Sequence, residues 1–124
     1  MKLKFPETYR HLIEAGINED YTMGYASAPG FRAGTCNPFY WFDLEKNEKT
    51  SLKIFPITYM EGTFIEDLKL FPDESSAIIN NLMNTVKQYN GVFVPLWHNH
   101  TVSDTLLWKN WKCVFEKSLE VDSN

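Results

Sequence analysis

The 124-residue chain is predicted to fold as one α/β domain, residues 1–124, with a mostly parallel sheet and flanking helices. Three observations predict it. Short, apolar, strand-like segments alternate with longer amphipathic helical ones, the pattern that βαβ units leave in a sequence. The run Val92-Phe93-Val94-Pro95-Leu96-Trp97 is apolar throughout, as a strand covered on both faces should be. No internal repeat, low-complexity tract or linker divides the chain, and its length suffices to bury roughly two-thirds of its unfolded surface in one core. An open sandwich and a piece of a barrel both satisfy this order.

Taken in order, Met1, Leu3 and Phe5 alternate with Lys2 and Lys4 at the period of a half-buried strand. Pro6 then opens a short helix with Tyr9, Leu12 and Ile13 on one face, ended by Gly16. A second strand is expected over 21–26. The loop after it carries Pro29, Gly30, Gly34 and Pro38 and leads to an aromatic strand over 39–42. Residues 52–59 read as a further strand that Pro56 bends or places at an edge, and 61–70 as a turn or weak helix. Ile78, Ile79, Leu82, Met83, Val86 and Tyr89 recur at helical spacing behind Asp73 and Glu74, which predicts a helix over 73–90 stopped by Gly91. Beyond the 92–97 strand, Ser103 or Asp104 is placed to cap a last helix with the stripe Leu107, Trp108, Trp111, Val114, Phe115 and Leu119.

Composition narrows the function. A formal charge of -4, with scattered Lys and Arg, argues against a nucleic-acid partner. No run of about 18 apolar residues is present to span a membrane, and the first residues lack the apolar stretch of a signal peptide, so a cytoplasmic location is the default expectation. Cys36 and Cys113 are too few for a disulfide framework; Cys113 is expected to pack within its helix, and Cys36 is a weak nucleophile candidate.

The chemistry is concentrated in two stretches, 29–39 and 96–100, each of which puts one catalytic-type side chain where a strand meets a loop. Arg32, between Gly30 and Gly34, can fork onto a carboxylate or phosphate, or simply tie down its own loop. His98 can act as general acid or base, or be an ordinary half-buried residue. His98 and His100 form an H-x-H pair to which Asp104 can add a third zinc ligand, unless the chain turns after His98 and the rings diverge. Asn99-His100-Thr101 matches a glycosylation sequon. Tyr40, Trp41 and Phe42, with Trp97 and Trp108, can stack on sugars but are expected mostly in the core. Glu45, Glu48, Asp73 and Glu74 are expected as solvated or helix-start charges.

The stretches Tyr21-Thr22-Met23-Gly24-Tyr25, Gly30-Phe31-Arg32-Ala33-Gly34-Thr35 and Leu96-Trp97-His98-Asn99, in that order, resemble the carboxyl-terminal half of the polysaccharide deacetylase family, the NodB-homology enzymes of incomplete (β/α) barrel fold, in a divergent bacterial branch. The resemblance runs from about Leu3 to Phe115. It implies hydrolysis of an acetamide on a carbohydrate, with water activated by a divalent, zinc-like metal on an aspartate and two histidines, and a further aspartate as base. It also implies that Arg32 orients that base, that His98 protonates the departing amine, and that Glu61 tunes this histidine. Leu96 would wall the acetyl pocket, Trp97 would touch substrate, and the backbone N–H near Thr35 would help hold the oxyanion.

Gly34 and Thr35 depart from the family pattern, which continues with proline and an aromatic residue. The paired aspartates and H-x-x-x-H ligands of the family's other half do not occur in this sequence. The chain alone is therefore expected to hold no metal and to be inactive. A half barrel leaves strand edges unpaired, which predicts self-association or pairing with a separate amino-terminal half. The competing expectation is a non-catalytic carbohydrate-binding or protein-interaction module in which Arg32, Trp41 and Trp97 hold a glycan or a partner.

Overall fold

The computed structural model describes residues 3–102 and 109–119. Its elements are α1 (Glu7–Glu14), β1 (Glu19–Asp20), β2 (Phe39–Asp43), β3 (Glu48–Ile54), β4 (Tyr59–Met60), α2 (Pro72–Gln88), β5 (Pro95–Leu96) and α3 (Lys109–Ser118). A π-helical turn at Thr63–Asp67 and a 3-10 turn at Asn99–Val102 complete the order. The class is mixed α/β. Strands form two small sheets, β1-β3-β2 and β4-β5. The β1–β3 and β4–β5 ladders are parallel but join only two residues each, whereas the longest, β2–β3, is an antiparallel hairpin with an irregularity between Tyr40 and Phe42. Its turn is closed by Asn47 at φ 51, a left-handed conformation that Asn tolerates well.

The strands depart furthest from the sequence reading. Leu3 to Phe5 form none, although Leu3 still packs against the core. The strand expected over 21–26 is displaced to Glu19–Asp20; beyond it the pairing continues as isolated bonds, Phe55 N–H to Asp20 O and Ile57 N–H to Met23 O, both 2.8 Å. Pro56 has no N–H to give a ladder, and the expected 52–59 strand is divided there into β3 and β4. The 92–97 strand shrinks to β5.

Two apolar clusters hold these elements. Tyr9 of α1 packs with Met23, Leu52 and Ile54 on the inner face of β3, and Tyr59, Phe64, Ile79, Trp111 and Val114 join β4, the π-helical turn, α2 and α3. Cys113, expected to pack, is exposed on α3 instead. Ser103, Asp104, Leu107, Trp108 and Met1 lie outside the described residues.

Helix α2 follows its sequence signals closely. Phe71 N–H donates to Glu74 Oε1 at 3.0 Å, and Pro72 occupies the first turn, where no N–H is needed. At the other end Asn90 turns left-handed at φ 51, Asn90 N–H donates to Lys87 O at 3.2 Å, and Gly91 N–H donates to Val86 O at 2.9 Å. This is the Schellman arrangement, with Asn90 in the left-handed position. Gly91 is needed for another reason: a Cβ there would lie 2.9 Å from Cys36 O and closer still to Cys36 Sγ. Gly91→Ala is expected to cost about 1–3 kcal/mol by forcing the 34–37 loop off the helix end. A lowered urea midpoint at unchanged slope is the check, and an unshifted midpoint would refute it.

On the exposed side of α1, Arg10 Nε and Nη2 donate to the two Asp43 carboxylate oxygens at 2.8 and 2.9 Å, and Nη2 also reaches Glu45 Oε2 at 2.8 Å. The forked pair ties α1 to the end of β2. Hydrogen bonds from Arg10 hold the Asp43 carboxyl down to about 2, against the opposing effect of burial. A depressed acid stabilises the fold above its unfolded pKa near 4, and that contribution is lost as pH falls through about 2. Denaturation at pH 5 and at pH 2.5 should show this loss, and Asp43→Asn should flatten it; an equal pH slope in the variant would remove the pair from the account.

Candidate functional site

Thr58, fully buried, is the backbone hub of the site. Its carbonyl accepts Gly30 N–H at 2.9 Å, its N–H donates to Val94 O at 2.8 Å, and its Oγ1 accepts Val94 N–H at 3.1 Å. The loop bearing Arg32, the segment entering β4 and the segment entering β5 are thereby laid side by side. Strands β4 and β5 are parallel, with Tyr59 opposite Pro95 and Met60 opposite Leu96. Residues just past their carboxyl ends therefore emerge together: Glu61 from β4, Trp97 and His98 from β5.

Glu61 and His98 meet there. Glu61 is 1% exposed, and its Oε1 accepts three donors: His98 N–H at 2.7 Å, His98 Nδ1 at 2.6 Å, and the Thr101 hydroxyl at 2.9 Å. An ionised carboxylate has no proton to give, so opposite an ionised Glu61 it is Nδ1 that carries the ring proton of this pair. Thr101 Oγ1 also lies 2.6 Å from His98 O, so its one proton is shared between that carbonyl and Glu61 Oε1, and the hydroxyl clasps the start of the 3-10 turn from within. Glu61 Oε2 is buried with no hydrogen-bond partner among the described residues. The His98 side chain is 56% exposed.

Beneath this pair, Trp97 is turned into the core. Its Nε1–H donates to Tyr59 OH at 2.9 Å, and its ring meets Tyr59 and Phe115 edge-on. Leu96 is half-exposed on β5. Arg32 is exposed, with its guanidinium 5.6 Å from the centre of the Phe5 ring, and its charge acts on the Tyr9 phenol. Burial, reinforced by neighbouring Asp20, raises that phenol well above the usual tyrosine range, and Tyr9 OH donates to Asp20 Oδ2 at 3.2 Å. Thr35 is half-buried, its Oγ1 accepting Asn37 N–H at 3.1 Å, and it lines a groove of about 210 Å³ with Phe31, Cys36 and Tyr89.

The structure thus joins His98 to Glu61 side chain to side chain, and links the Arg32 loop to them through the backbone of Thr58. Arg32 itself makes no ion pair among the described residues. Thr58 and Thr101 were missed in the sequence, where one looked like strand filler and the other entered only as part of a sequon. Among the described residues, no three His, Cys, Asp or Glu side chains are grouped to hold a metal ion. Asp104 of the H-x-H reading lies outside those residues. No helix of the described residues is long and apolar enough to cross a membrane. Compared with family models, with curated proteins and with solved structures, the chain finds no match.

Proposed function

We propose that this chain is the acid-bearing half of a polysaccharide deacetylase-like hydrolase, acting on an N-acetylated carbohydrate, with its short parallel ladders forming part of an incomplete (β/α) barrel. The observation that carries the reading is the 2.6 Å contact between His98 Nδ1 and buried Glu61 at the carboxyl ends of two adjacent parallel strands. That is where α/β enzymes collect catalytic side chains.

In this reading Glu61 fixes the imidazole's tautomer and direction, and His98 Nε2 delivers a proton to the amine as the C–N bond breaks. Leu96 walls the acetyl pocket, Arg32 orients a base, and a backbone N–H near Thr35 assists the oxyanion. A divalent metal would polarise the acetamide and activate water. The described residues group no three metal-ligating side chains, and in this proposal the ligands come from a partner half with which this chain pairs. The test is acetate release from an N-acetylglucosamine oligomer by the protein in which this chain and a metal-binding half occur together. Release that depends on His98 supports the proposal. A metal-loaded protein that binds the oligomer without releasing acetate would leave the non-catalytic module as the better account.

A further inference from the structure

Asn90-Gly91 is the single Asn-Gly step of the sequence, and no Asp-Gly occurs. An asparagine before glycine is where a chain most readily modifies itself, because no Cβ hinders attack of the glycine nitrogen on the neighbouring amide carbon. Gly91 N bonds to Asn90 Cγ, the Cγ–Nδ2 bond breaks, and Nδ2 leaves as ammonia with the Gly91 amide proton. Water then opens the five-membered imide at either carbonyl. One opening leaves an ordinary aspartate at position 90. The other leaves isoaspartate, in which the main chain runs through Cβ and Cγ and is one carbon longer.

The fold stations this step at the end of α2 with its nucleophile occupied. Gly91 N–H donates to Val86 O at 2.9 Å, and Asn90 is held left-handed at φ 51 with its own N–H on Lys87 O at 3.2 Å. The next amide, Val92 N–H, donates to Cys36 O at 3.1 Å. Asn90 is exposed, so water reaches its amide, but the Gly91 nitrogen gives up its proton only by losing the bond to Val86. Space decides which product the cap can take back. A Cβ on Gly91 would lie 2.9 Å from Cys36 O, 3.0 Å from Asn37 Oδ1 and closer still to Cys36 Sγ. An ordinary aspartate at position 90 leaves this contact alone and tolerates the left-handed conformation. An isoaspartate adds its carbon between the N–H of residue 90 and that of residue 91, whose acceptors, Lys87 O and Val86 O, are fixed one residue apart in the helix. It therefore cannot keep both cap bonds and the close approach of Gly91 to Cys36.

We propose that Asn90-Gly91 is a self-modification site, shielded from deamidation while the α2 cap is closed and converted to isoaspartate when the cap opens, after which the longer main chain keeps the cap from re-forming and frees the 34–37 loop from the helix end. The groove of about 210 Å³ that Thr35 and Cys36 share with Thr85 and Tyr89 lies between that loop and α2, so its two walls part. The change runs one way, because water opens the imide and ammonia has left. The site is remote in sequence from Glu61 and uses neither it nor His98, so the proposal goes beyond the hydrolase reading and does not depend on it.

The test holds the whole chain in mildly alkaline buffer, with and without urea, and locates isoaspartate by mass spectrometry of its peptides. In urea, position 90 is expected to convert faster than any other asparagine. In buffer it should convert roughly tenfold more slowly or less, since holding one amide hydrogen bond amounts to about that factor. The consequence is read on the two thiols: Cys113 is exposed and Cys36 is buried. Fresh folded protein should react with a chromogenic disulfide at Cys113 alone, and the fraction carrying isoaspartate at position 90 should react at Cys36 as well. Asn90→Asp supplies the charge without the added carbon and should keep Cys36 covered. Asn90→Gly keeps a residue suited to the left-handed position, lacks the amide, and should keep Cys36 covered throughout the incubation. Equal rates with and without urea overturn the proposal, as does an unmodified Asn90 in urea. So do a covered Cys36 in the isoaspartate form, a Cys36 laid open by Asn90→Asp, or one that opens in Asn90→Gly at the wild-type pace.

Discussion

If the proposed hydrolase function holds, replacing His98 with Ala should lower turnover by roughly 100-fold or more once a metal-binding half is supplied, the ordinary contribution of one positioned acid. The loss should fall on kcat with KM little changed, because the proton is delivered only as the C–N bond breaks and adds nothing to ground-state binding. The fold should survive, since the ring is largely exposed and the backbone N–H of residue 98 can still donate to Glu61. Activity that persists intact in a folded His98→Ala protein removes His98 from the chemistry.

In the same proposal Glu61 touches the imidazole and not the substrate, which makes it a positioning residue and calls for a different measurement. Glu61→Gln keeps the volume and one acceptor oxygen but removes the charge facing Nδ1. A kcat loss smaller than that of His98→Ala is expected, with KM little changed. A purely structural glutamate would lower the melting temperature and leave kcat of the folded protein unchanged.

What the sequence disclosed follows from what is local. Helix α2 announced itself because its apolar period, its acidic first turn and its stop are all written within a few turns of chain. Even so, the left-handed residue of its cap is Asn90 and not the glycine beside it, which is reserved for contact with Cys36. Strand segments were visible as apolar runs, but their pairing was not, since a ladder needs a partner far along the chain. Pro56 and Pro95 each withdraw a donor where a long strand was expected. The site was half legible. Arg32 and His98 stood out as polar residues after apolar runs, and Glu61 was reached only through resemblance, because nothing in its spacing joins it to a histidine 37 positions away. Trp97 was expected mostly in the core with sugar stacking as the other option, and in the fold it packs against the core with its N–H donated to Tyr59.

That bond makes Tyr59 the hinge between core and site, and substitutions there should carry the largest stability effects. Tyr59 is 1% exposed, touches Phe64, Phe93 and Trp97, and accepts the indole N–H one residue before His98. Tyr59→Ala is expected to cost about 3–5 kcal/mol by opening a cavity at the centre of the cluster. That is a large part of the roughly 5–15 kcal/mol a domain possesses. Tyr59→Phe keeps the packing but strands a buried donor, so about 1–3 kcal/mol should be lost instead. A second signature separates the hydroxyl from the ring. Burial pushes the Tyr59 phenol up to about 12, partly opposed by the hydrogen bond from Trp97. Between pH ~10 and about 12 the unfolded chain releases this proton and the folded chain does not, so stability falls as pH rises through that window. Tyr9, also raised by burial, adds to the same slope. Tyr59→Phe should therefore be less stable at neutral pH yet lose stability more slowly in alkali. A variant with the wild-type alkaline slope would mean that the Tyr59 phenol is not held neutral by the core.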